Sequence, residues 1–225
     1  MAASPTTAET TVRRHALDVR IAHWIVAIAF ILLALSGLAL FYPSLFFLTG
    51  VLGGRESARM LHPWIGVVLA IGYLYLFIRF VGSCLWSVPE DNVWMAHLGD
   101  AMARRDENLP EIGKFNPGQK LYFWAMALLI VVLLITGIIT WHAYFAALTT
   151  IPTQRVAVLL HSIAAILAII AFIVHVHMGT WETGTLRAMT RGTVTGGWAW
   201  KHHRKWLRQV AAAQHGKTKV GAPAE

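Results

Sequence analysis

The sequence predicts an all-α integral membrane protein built as a four-helix bundle, and three observations support that prediction. The chain has 225 residues, of which 56% are hydrophobic and only 13% charged, and its mean hydropathy is +0.56. Soluble domains usually carry about a quarter charged residues. Four apolar runs are each long enough to cross roughly 30 Å of hydrocarbon, which takes about 20 helical residues. Basic residues flank these runs unevenly, as they do around membrane spans.

The elements follow from these apolar runs in chain order. The predicted division is an N-terminal tail (1–20), two spans (21–42 and 61–83), a polar loop (84–120), two further spans (121–144 and 156–181) and a basic tail (182–225). The first twenty residues are polar, and the apolar stretch after them is too long for the hydrophobic region of a signal peptide. We therefore expect the first span to be retained.

The distribution of positive charge predicts the orientation. All but three of the 19 Lys and Arg residues lie in the two tails or in the 79–120 region, and the exceptions are Arg55, Arg59 and Arg155. The positive-inside rule then places both termini in the cytoplasm. The net charge of +8 is explained by these flanks and does not indicate a nucleic-acid partner. The single cysteine, Cys84, excludes a disulfide framework and any CxxC-type metal, iron–sulfur or covalent haem site.

Ionisable side chains inside membrane spans usually carry function, and here most of them are histidines. Six histidines lie within or at the ends of the spans: His23, His62, His142, His161, His175 and His177. The predicted topology puts His62 and His161 at one depth, near the outer face. It puts His23 with His175 or His177 at a second depth, near the cytoplasmic face. Facing imidazoles in apolar surroundings are what a bis-histidine haem b requires, so the sequence predicts two haems stacked in the bundle.

Helix phase separates the two neighbouring histidines of the last span. His161 and His175 are 14 residues apart, so they differ by about 40° in azimuth and about 21 Å along the axis. His177 falls about 160° from His161, on the opposite face. The predicted axial ligands of the haem irons are therefore His23, His62, His161 and His175. A lone membrane histidine is as easily explained by a hydrogen bond to a neighbouring helix, but matched depth and shared phase favour iron ligation.

The remaining histidines have simpler interpretations. We interpret His177 and His142 as boundary residues outside the bundle or near lipid headgroups. Five others lie in polar segments and are expected to be solvated or at partner contacts: His15, His97, His202, His203 and His215.

The segment GKFNPGQK (113–120), just before the third span, has two compatible interpretations. Asn116, Pro117 and Gly118 form a turn in which glycine permits close approach of a ligand, and Asn116 and Gln119 can donate hydrogen bonds to a carbonyl oxygen. Alternatively, Asn116 caps the helix that follows, with proline in its first position.

Several motifs together give the chain a family resemblance. They are RIAHW (20–24), ALSGLAL (34–40), RMLHPWIG (59–66), GKFNPGQK (113–120), LLHSIAA (159–165), IVHVHM (173–178) and WAWKHHRKW (198–206). Over nearly the whole chain the sequence resembles the gamma subunit of respiratory formate dehydrogenase, a di-haem cytochrome b membrane anchor. Where that family usually has an aromatic residue, this chain has His177. Three other departures touch no predicted ligand: Pro117, His142 and Arg204.

The resemblance implies a specific role. It pairs His23 with His175 on the cytoplasmic-side haem, and His62 with His161 on the outer haem. It also implies a menaquinone or ubiquinone headgroup bound by Asn116 and Gly118, with Gln119 nearby.

The resemblance implies two partners: an iron–sulfur (beta) subunit and a molybdenum or tungsten pterin (alpha) subunit that oxidises formate. It is also compatible with a higher-order oligomer of that heterotrimer. This chain, in the bacterial cytoplasmic membrane, would carry electrons inward to quinone and so contribute to the proton-motive force of anaerobic respiration. It has no catalytic residues for formate itself.

Other functions remain open from the sequence alone. The chain is also compatible with the cytochrome b subunit of a hydrogenase or thiosulfate reductase, or with a stand-alone cytochrome b561-like protein that reduces quinone or oxidises superoxide. An alternative of a different class is a haem-free membrane scaffold or transporter. The basic tail fits either an anionic lipid surface or a docking site for the iron–sulfur subunit.

Overall fold

The computed structural model describes residues 10–87, 89–103 and 105–220. The outer ends of both predicted tails (1–9 and 221–225) and Arg104 therefore lie outside the described residues, as does the side chain of His215. In chain order the elements are β1 (Thr11–Arg13), α1 (Leu17–Phe41), α2 (Arg55–Phe80), α3 (Glu90–Ala96), α4 (Leu98–Met102), α5 (Pro117–Thr140), α6 (His142–Phe145), α7 (Ile151–Trp181), α8 (Thr185–Thr190), β2 (Thr193–Thr195), α9 (Gly196–His202) and α10 (Arg204–Val220). Short 3-10 helices cover Pro43–Leu52, Val81–Ser83, Asp106–Asn108 and Ala146–Leu148.

Four of the helices, α1, α2, α5 and α7, are long and apolar enough to span a membrane. This finding confirms the predicted all-α, four-helix fold. All four helices begin earlier than the predicted spans: α1 at Leu17, α5 at Pro117, α7 at Ile151, and α2 at Arg55 after a glycine pair. Gly53 and Gly54 have φ angles of +84° and +103°, which residues with a side chain rarely adopt.

The chain divides into two compact units. The first, here called the bundle, comprises residues 17–81 and 122–181. The second, here called the polar unit, comprises 82–121 together with the described parts of 1–16 and 182–225.

The middle of the bundle is filled by apolar side chains from all four helices. The buried cluster contains Ala29, Phe30, Leu69, Met126, Ile130 and Ala168. Phe30 of α1 stacks on Phe172 of α7 with ring centroids 4.8 Å apart. Helices α1 and α2 approach closely where α2 has Gly72, since a Cβ atom there would lie 2.9 Å from Cγ2 of Val26. Small residues of this kind permit close packing of membrane helices, which have no hydrophobic driving force between them.

The polar unit joins segments that are far apart in the sequence. Strands β1 and β2 pair antiparallel, with Val12 opposite Val194. The side chain of Val194 packs in a buried cluster with Ala188, Ala199 and Trp206. The parts of the two predicted tails that lie next to the membrane spans are therefore folded together.

A buried arginine lies in the middle of the polar unit. Arg14 is 6% exposed, and its guanidinium carbon lies 5.0 Å from the ring centre of Trp198 and 4.9 Å from that of Trp206. Its Nη2 donates to the carbonyl of Lys114 at 2.6 Å and to Nε2 of His203 at 3.1 Å. Aromatic faces and these two acceptors compensate part of the cost of burying the charge.

Candidate haem sites

The first candidate site is the pair His62 and His161. His62 lies on α2 and His161 on α7, and their ring centroids are 6.4 Å apart with an interplanar angle of 62°. Nδ1 of His62 lies 2.7 Å from the hydroxyl of Ser36 on α1. Nδ1 of His161 lies 2.9 Å from the hydroxyl of Thr136 on α5. All four helices of the bundle therefore contribute to this pair.

The second pair is His23 of α1 and His175 of α7. Their ring centroids are 6.3 Å apart with an interplanar angle of 50°. The ring of Tyr122, on α5, stacks on His175 at 4.5 Å and 10°. Trp24 meets the ring of His23 edge-on at 5.5 Å. The aromatic rings limit the orientations available to both imidazoles.

Both separations fit a metal ion held between two imidazoles. Bonds from a metal to an imidazole nitrogen are about 2.0–2.1 Å long, and that nitrogen lies about 1.1 Å from the ring centre, so two axial imidazoles have centroids roughly 6.3 Å apart. Neutral imidazoles are also the ligands that bis-histidine haem requires. In the part of the chain that the structure describes, no group of three or more His, Cys, Asp or Glu side chains is suitable for a metal ion. The histidine pairs, with a porphyrin supplying the other four ligands, fit haem iron.

The structure separates the two histidines of the last span. The ring of His175 faces that of His23, whereas the ring of His177 packs against Trp181, with centroids 5.3 Å apart. His142, the other expected boundary residue, is exposed and hydrogen-bonds Oε1 of Gln154 at 3.2 Å.

The expectation that His15 and His203 are solvated or at partner contacts is wrong, because they are only 5% and 2% exposed. His203 lies between two polar groups: its Nδ1 donates to the carbonyl of Gly113 at 2.8 Å, and its Nε2 accepts from Arg14. Burial, with a smaller contribution from the charge of Arg14, lowers the pKa of His203 to about 3. The imidazole is therefore neutral at physiological pH. A polar sequence segment gives no sign of burial, and Arg14, the partner of His203, lies 189 residues away in the sequence.

Two other groups of the polar unit are shifted by burial. Desolvation lowers the pKa of Arg14 to about 10 and raises the pKa of the Cys84 thiol to about 11. Cys84 is therefore a protonated, buried thiol at neutral pH and unsuited to nucleophilic chemistry.

The predicted quinone motif forms the start of α5. Oδ1 of Asn116 accepts from the backbone N–H of Gln119 at 2.8 Å, and Oε1 of Gln119 accepts from the backbone N–H of Asn116 at 3.0 Å. This reciprocal pair is a capping box, with Pro117 in the first helical position. A Cβ atom on Gly118 would lie 3.6 Å from Trp94, so the turn packs on that indole. The cap uses both amide oxygens and leaves the two side-chain NH₂ groups as donors.

The contacts of Ser36 and Thr136 with the histidines were not predicted from the sequence. Each of these two residues is followed by glycine, and a Cβ atom on Gly37 or Gly137 would lie 3.4 Å from Cε1 of the adjacent histidine. The dipeptides Ser36-Gly37 and Thr136-Gly137 precede His62 and His161 by 26 and 25 residues. This spacing was a usable signal: a hydroxyl and a glycine on one helix, and a histidine at a matching depth on the next.

A membrane bundle with histidine pairs facing each other between its helices defines the class of b-type membrane cytochromes. The chain belongs to the prokaryotic cytochrome b561 family, whose model matches residues 14–192.

Relatives within this class carry more specific names. The chain is 39% identical over 200 residues to the formate dehydrogenase cytochrome b556(fdo) subunit of Escherichia coli, covering 89% of this chain and 93% of that protein. It is 36% identical over 197 residues to the nitrate-inducible formate dehydrogenase cytochrome b556 subunit of Escherichia coli, covering 87% and 89%. It is also 36% identical over 203 residues to the formate dehydrogenase cytochrome b556 subunit of Haemophilus influenzae, covering 89% and 84%. These matches confirm the resemblance to formate dehydrogenase cytochrome b subunits.

Proposed function

We propose that this chain is the electron-transfer membrane subunit of a formate dehydrogenase and that it binds two b haems. The observation that carries the proposal is the presence of two facing histidine pairs, with ring centroids 6.3 and 6.4 Å apart, in one four-helix bundle. His161 and His175 lie 14 residues apart on α7, so that helix contributes to both pairs. A haem bound at each pair supplies one-electron oxidation and reduction within the apolar bundle.

The proposed path crosses the membrane. With both termini in the cytoplasm, as the charge distribution favours, the pair His62 and His161 lies toward the outer face and the pair His23 and His175 toward the cytoplasm. Electrons enter at the outer pair from an iron–sulfur partner subunit and leave at the inner pair. Formate itself is oxidised in a pterin-containing partner, and quinone is reduced with protons taken from the cytoplasm of a bacterial cell.

The amide groups of Asn116 and Gln119 suit the binding of a quinone headgroup. A quinone carbonyl accepts hydrogen bonds, and both side-chain NH₂ groups remain available as donors because the capping box uses only the oxygens. The cap also holds these side chains in a fixed orientation at the helix N-terminus, where the helix dipole stabilises negative charge that develops on the quinone. The capping and binding roles that the motif suggested are thus compatible in this geometry.

The haem assignment is tested by two neighbouring substitutions. We expect His175→Ala to lose the haem held with His23, because it removes one of two axial ligands, and to lose quinone reduction with it. His177→Ala, two residues away and packed on Trp181 instead of His23, should keep both haems and activity. Haem content and low-temperature difference spectra of the purified proteins make the measurement. Equal haem loss in both variants, or the reverse pattern, would contradict the assignment.

The quinone assignment needs a substitution that preserves the helix cap. Asn116→Asp keeps an acceptor oxygen for the backbone of Gln119 but removes the amide donor. We expect quinone reduction to slow by about tenfold, the order of one lost hydrogen bond, while both haems remain reducible by dithionite. Asn92→Asp adds the same charge at an exposed side chain and serves as the control. Unchanged quinone reduction in Asn116→Asp, with an intact cap, would remove Asn116 from the site.

A further inference from the structure

We infer that Ser36 and Thr136 are positioning residues that fix the tautomer and the electron-donating strength of His62 and His161. As a result, the haem held by these two histidines has a different midpoint potential from the haem held by the other two. The inference rests on the proposed function, since it takes His62 and His161 to be the axial ligands of one haem.

The direction of each hydrogen bond follows from the proposed ligand role of the histidine and the single proton on the hydroxyl. Oγ of Ser36 donates to the backbone carbonyl of Leu32 at 2.7 Å, one helical turn earlier. When Nε2 of a neutral His62 binds iron, Nδ1 carries the ring proton and donates to Oγ of Ser36, 2.7 Å away. The hydroxyl proton of Ser36 then goes to the carbonyl of Leu32.

The same arrangement occurs on the other helix pair. Oγ1 of Thr136 lies 2.6 Å from the carbonyl of Val132, to which it donates, and 2.9 Å from Nδ1 of His161. With Nε2 of His161 on iron, Nδ1–H donates to Oγ1 in the same way. Ser36 is 1% and Thr136 is 5% exposed, so water does not compete for either hydroxyl. Two independent helix pairs thus present the same acceptor to the same ring nitrogen, which is the relation that commonly orients metal-bound histidines.

The other histidine pair has different surroundings. Nδ1 of His23 is buried and has no hydrogen-bond partner among the residues that the structure describes. His175 is instead stacked on Tyr122. The hydroxyl acceptors therefore belong to one pair and distinguish it from the other.

A hydrogen bond from Nδ1–H to an acceptor increases the basicity of the imidazole and so stabilises the more positive, oxidised iron. The residues Ser36 and Thr136 should therefore lower the midpoint potential of the haem held by His62 and His161. The haem held by His23 and His175 should be unaffected. An electron arriving at the first site would then move on to the second with a favourable difference in potential.

Redox titration of the purified holoprotein tests the inference. The haem of interest is identified by the spectral component that disappears in His161→Ala. We expect Ser36→Ala and Thr136→Val each to raise the midpoint potential of that haem by up to about 59 mV. This shift corresponds to a tenfold change in the equilibrium constant of a one-electron couple. The potential of the other haem should not move, and Thr136→Ser, which keeps the hydroxyl, should restore the wild-type value.

Matched controls are available on α7 and α5 of the same bundle. Ser162 donates to the carbonyl of Val158 at 2.8 Å, and Thr140 donates to the carbonyl of Thr136 at 3.0 Å. Ser162→Ala and Thr140→Val remove hydroxyls that bond only to backbone, and neither should shift a potential.

The possible failures are distinguishable. If Ser36→Ala and Thr136→Val keep haem with unchanged potentials, or if the controls shift equally, the inference is overturned. If these two variants lose the haem while Thr136→Ser and the controls retain it, the hydroxyls are positioning the ligands as proposed; loss in Thr136→Ser as well would contradict that. A wild-type chain without haem, or haem retained in His161→Ala, would instead overturn the proposed function.

Discussion

His175 and His177 show how strongly local geometry separates neighbouring residues. They are two positions apart on α7, yet one ring faces His23 and the other packs on exposed Trp181. The helical period was sufficient to predict that the two rings lie on different faces of α7, with His161 as the reference. The hydroxyl partners of His62 and His161 were harder to predict, because Ser36 and Thr136 lie on other helices. The spacing of the Ser-Gly and Thr-Gly dipeptides indicates such a contact but does not identify it uniquely.

The buried His203 leads to a prediction about pH. Its pKa is about 3 in the folded protein and about 6.5 in an unfolded chain. Between these values the unfolded state binds more protons, so His203 contributes stability above about pH 6.5 that is lost as the pH falls toward 3. We expect the melting temperature of the polar unit to fall between pH 7 and pH 5. In His203→Asn, which keeps a donor toward Gly113, the decrease should be smaller. Equal decreases in both proteins would show that His203 is not the group responsible.

At the scale of elements, the beginning of α5 combines a cap with a buried ion pair. Nζ of Lys120 lies 2.7 Å from Oδ2 of Asp91, and the two side chains are 8% and 4% exposed. The same carboxylate oxygen accepts from the backbone N–H of Ser87 at 2.5 Å. The ion pair therefore connects α5 to α3 and to the segment before it. The cap was foreseeable from Asn116 and Pro117, but the acidic partner of Lys120 was not, since it lies 29 residues earlier.

This ion pair should matter more than exposed ones. Lys120→Met leaves the carboxylate of Asp91 buried without its counter-charge, and we expect a loss of about 3–5 kcal/mol of unfolding free energy. Lys205→Met breaks the pair between Lys205 and Glu90, whose side chains are 45% and 40% exposed, and should change stability far less. Denaturant unfolding in detergent compares the two. Similar losses in both variants would mean that burial does not set the strength of the Lys120 pair.

The contact between α1 and α2 predicts different effects for two glycines of one helix. A Cβ atom on Gly72 would lie 2.9 Å from Cγ2 of Val26, a stiff β-branched side chain, whereas one on Gly66 would meet nothing within 4 Å. Gly72→Ala should destabilise the bundle by about 1–3 kcal/mol through overpacking. Gly66→Ala should be neutral or stabilising, because alanine favours helix more than glycine does.

Thermal unfolding of the two glycine variants and of the double variant Gly72→Ala/Val26→Ala makes this measurement. Partial recovery in the double variant is expected, since removing the methyl groups of Val26 relieves the contact. A destabilised Gly66→Ala, or no recovery in the double variant, would place the cause elsewhere.

At the scale of the whole molecule, hydropathy predicted the four spans, because a run of about 20 apolar residues rarely forms anything other than a transmembrane helix. It could not predict the polar unit, which is assembled from three separated segments. Strand β1 pairs with β2 across more than 180 residues, and Arg14 lies beside Lys114 and His203. Such long-range contacts depend on the complete fold. The WAWKHHRKW motif (198–206) therefore indicated the family but not the structural role of His203.

The proposed partners give a prediction for the intact complex. We expect an affinity-tagged form of this chain, purified from membranes in mild detergent, to bring with it an iron–sulfur subunit and a large pterin-containing subunit with formate-oxidising activity. A hydrogenase or thiosulfate reductase activity in the purified complex would instead place the chain with a different partner enzyme.

The most direct test of the central claim is the amount of haem b per chain. Haem quantification of the purified protein, together with a reduced-minus-oxidised spectrum, should give two b haems per polypeptide, because each of the two histidine pairs is proposed to hold one iron. A ratio of one would mean that only one of the pairs ligates iron, and the absence of a haem b spectrum would contradict the account as a whole.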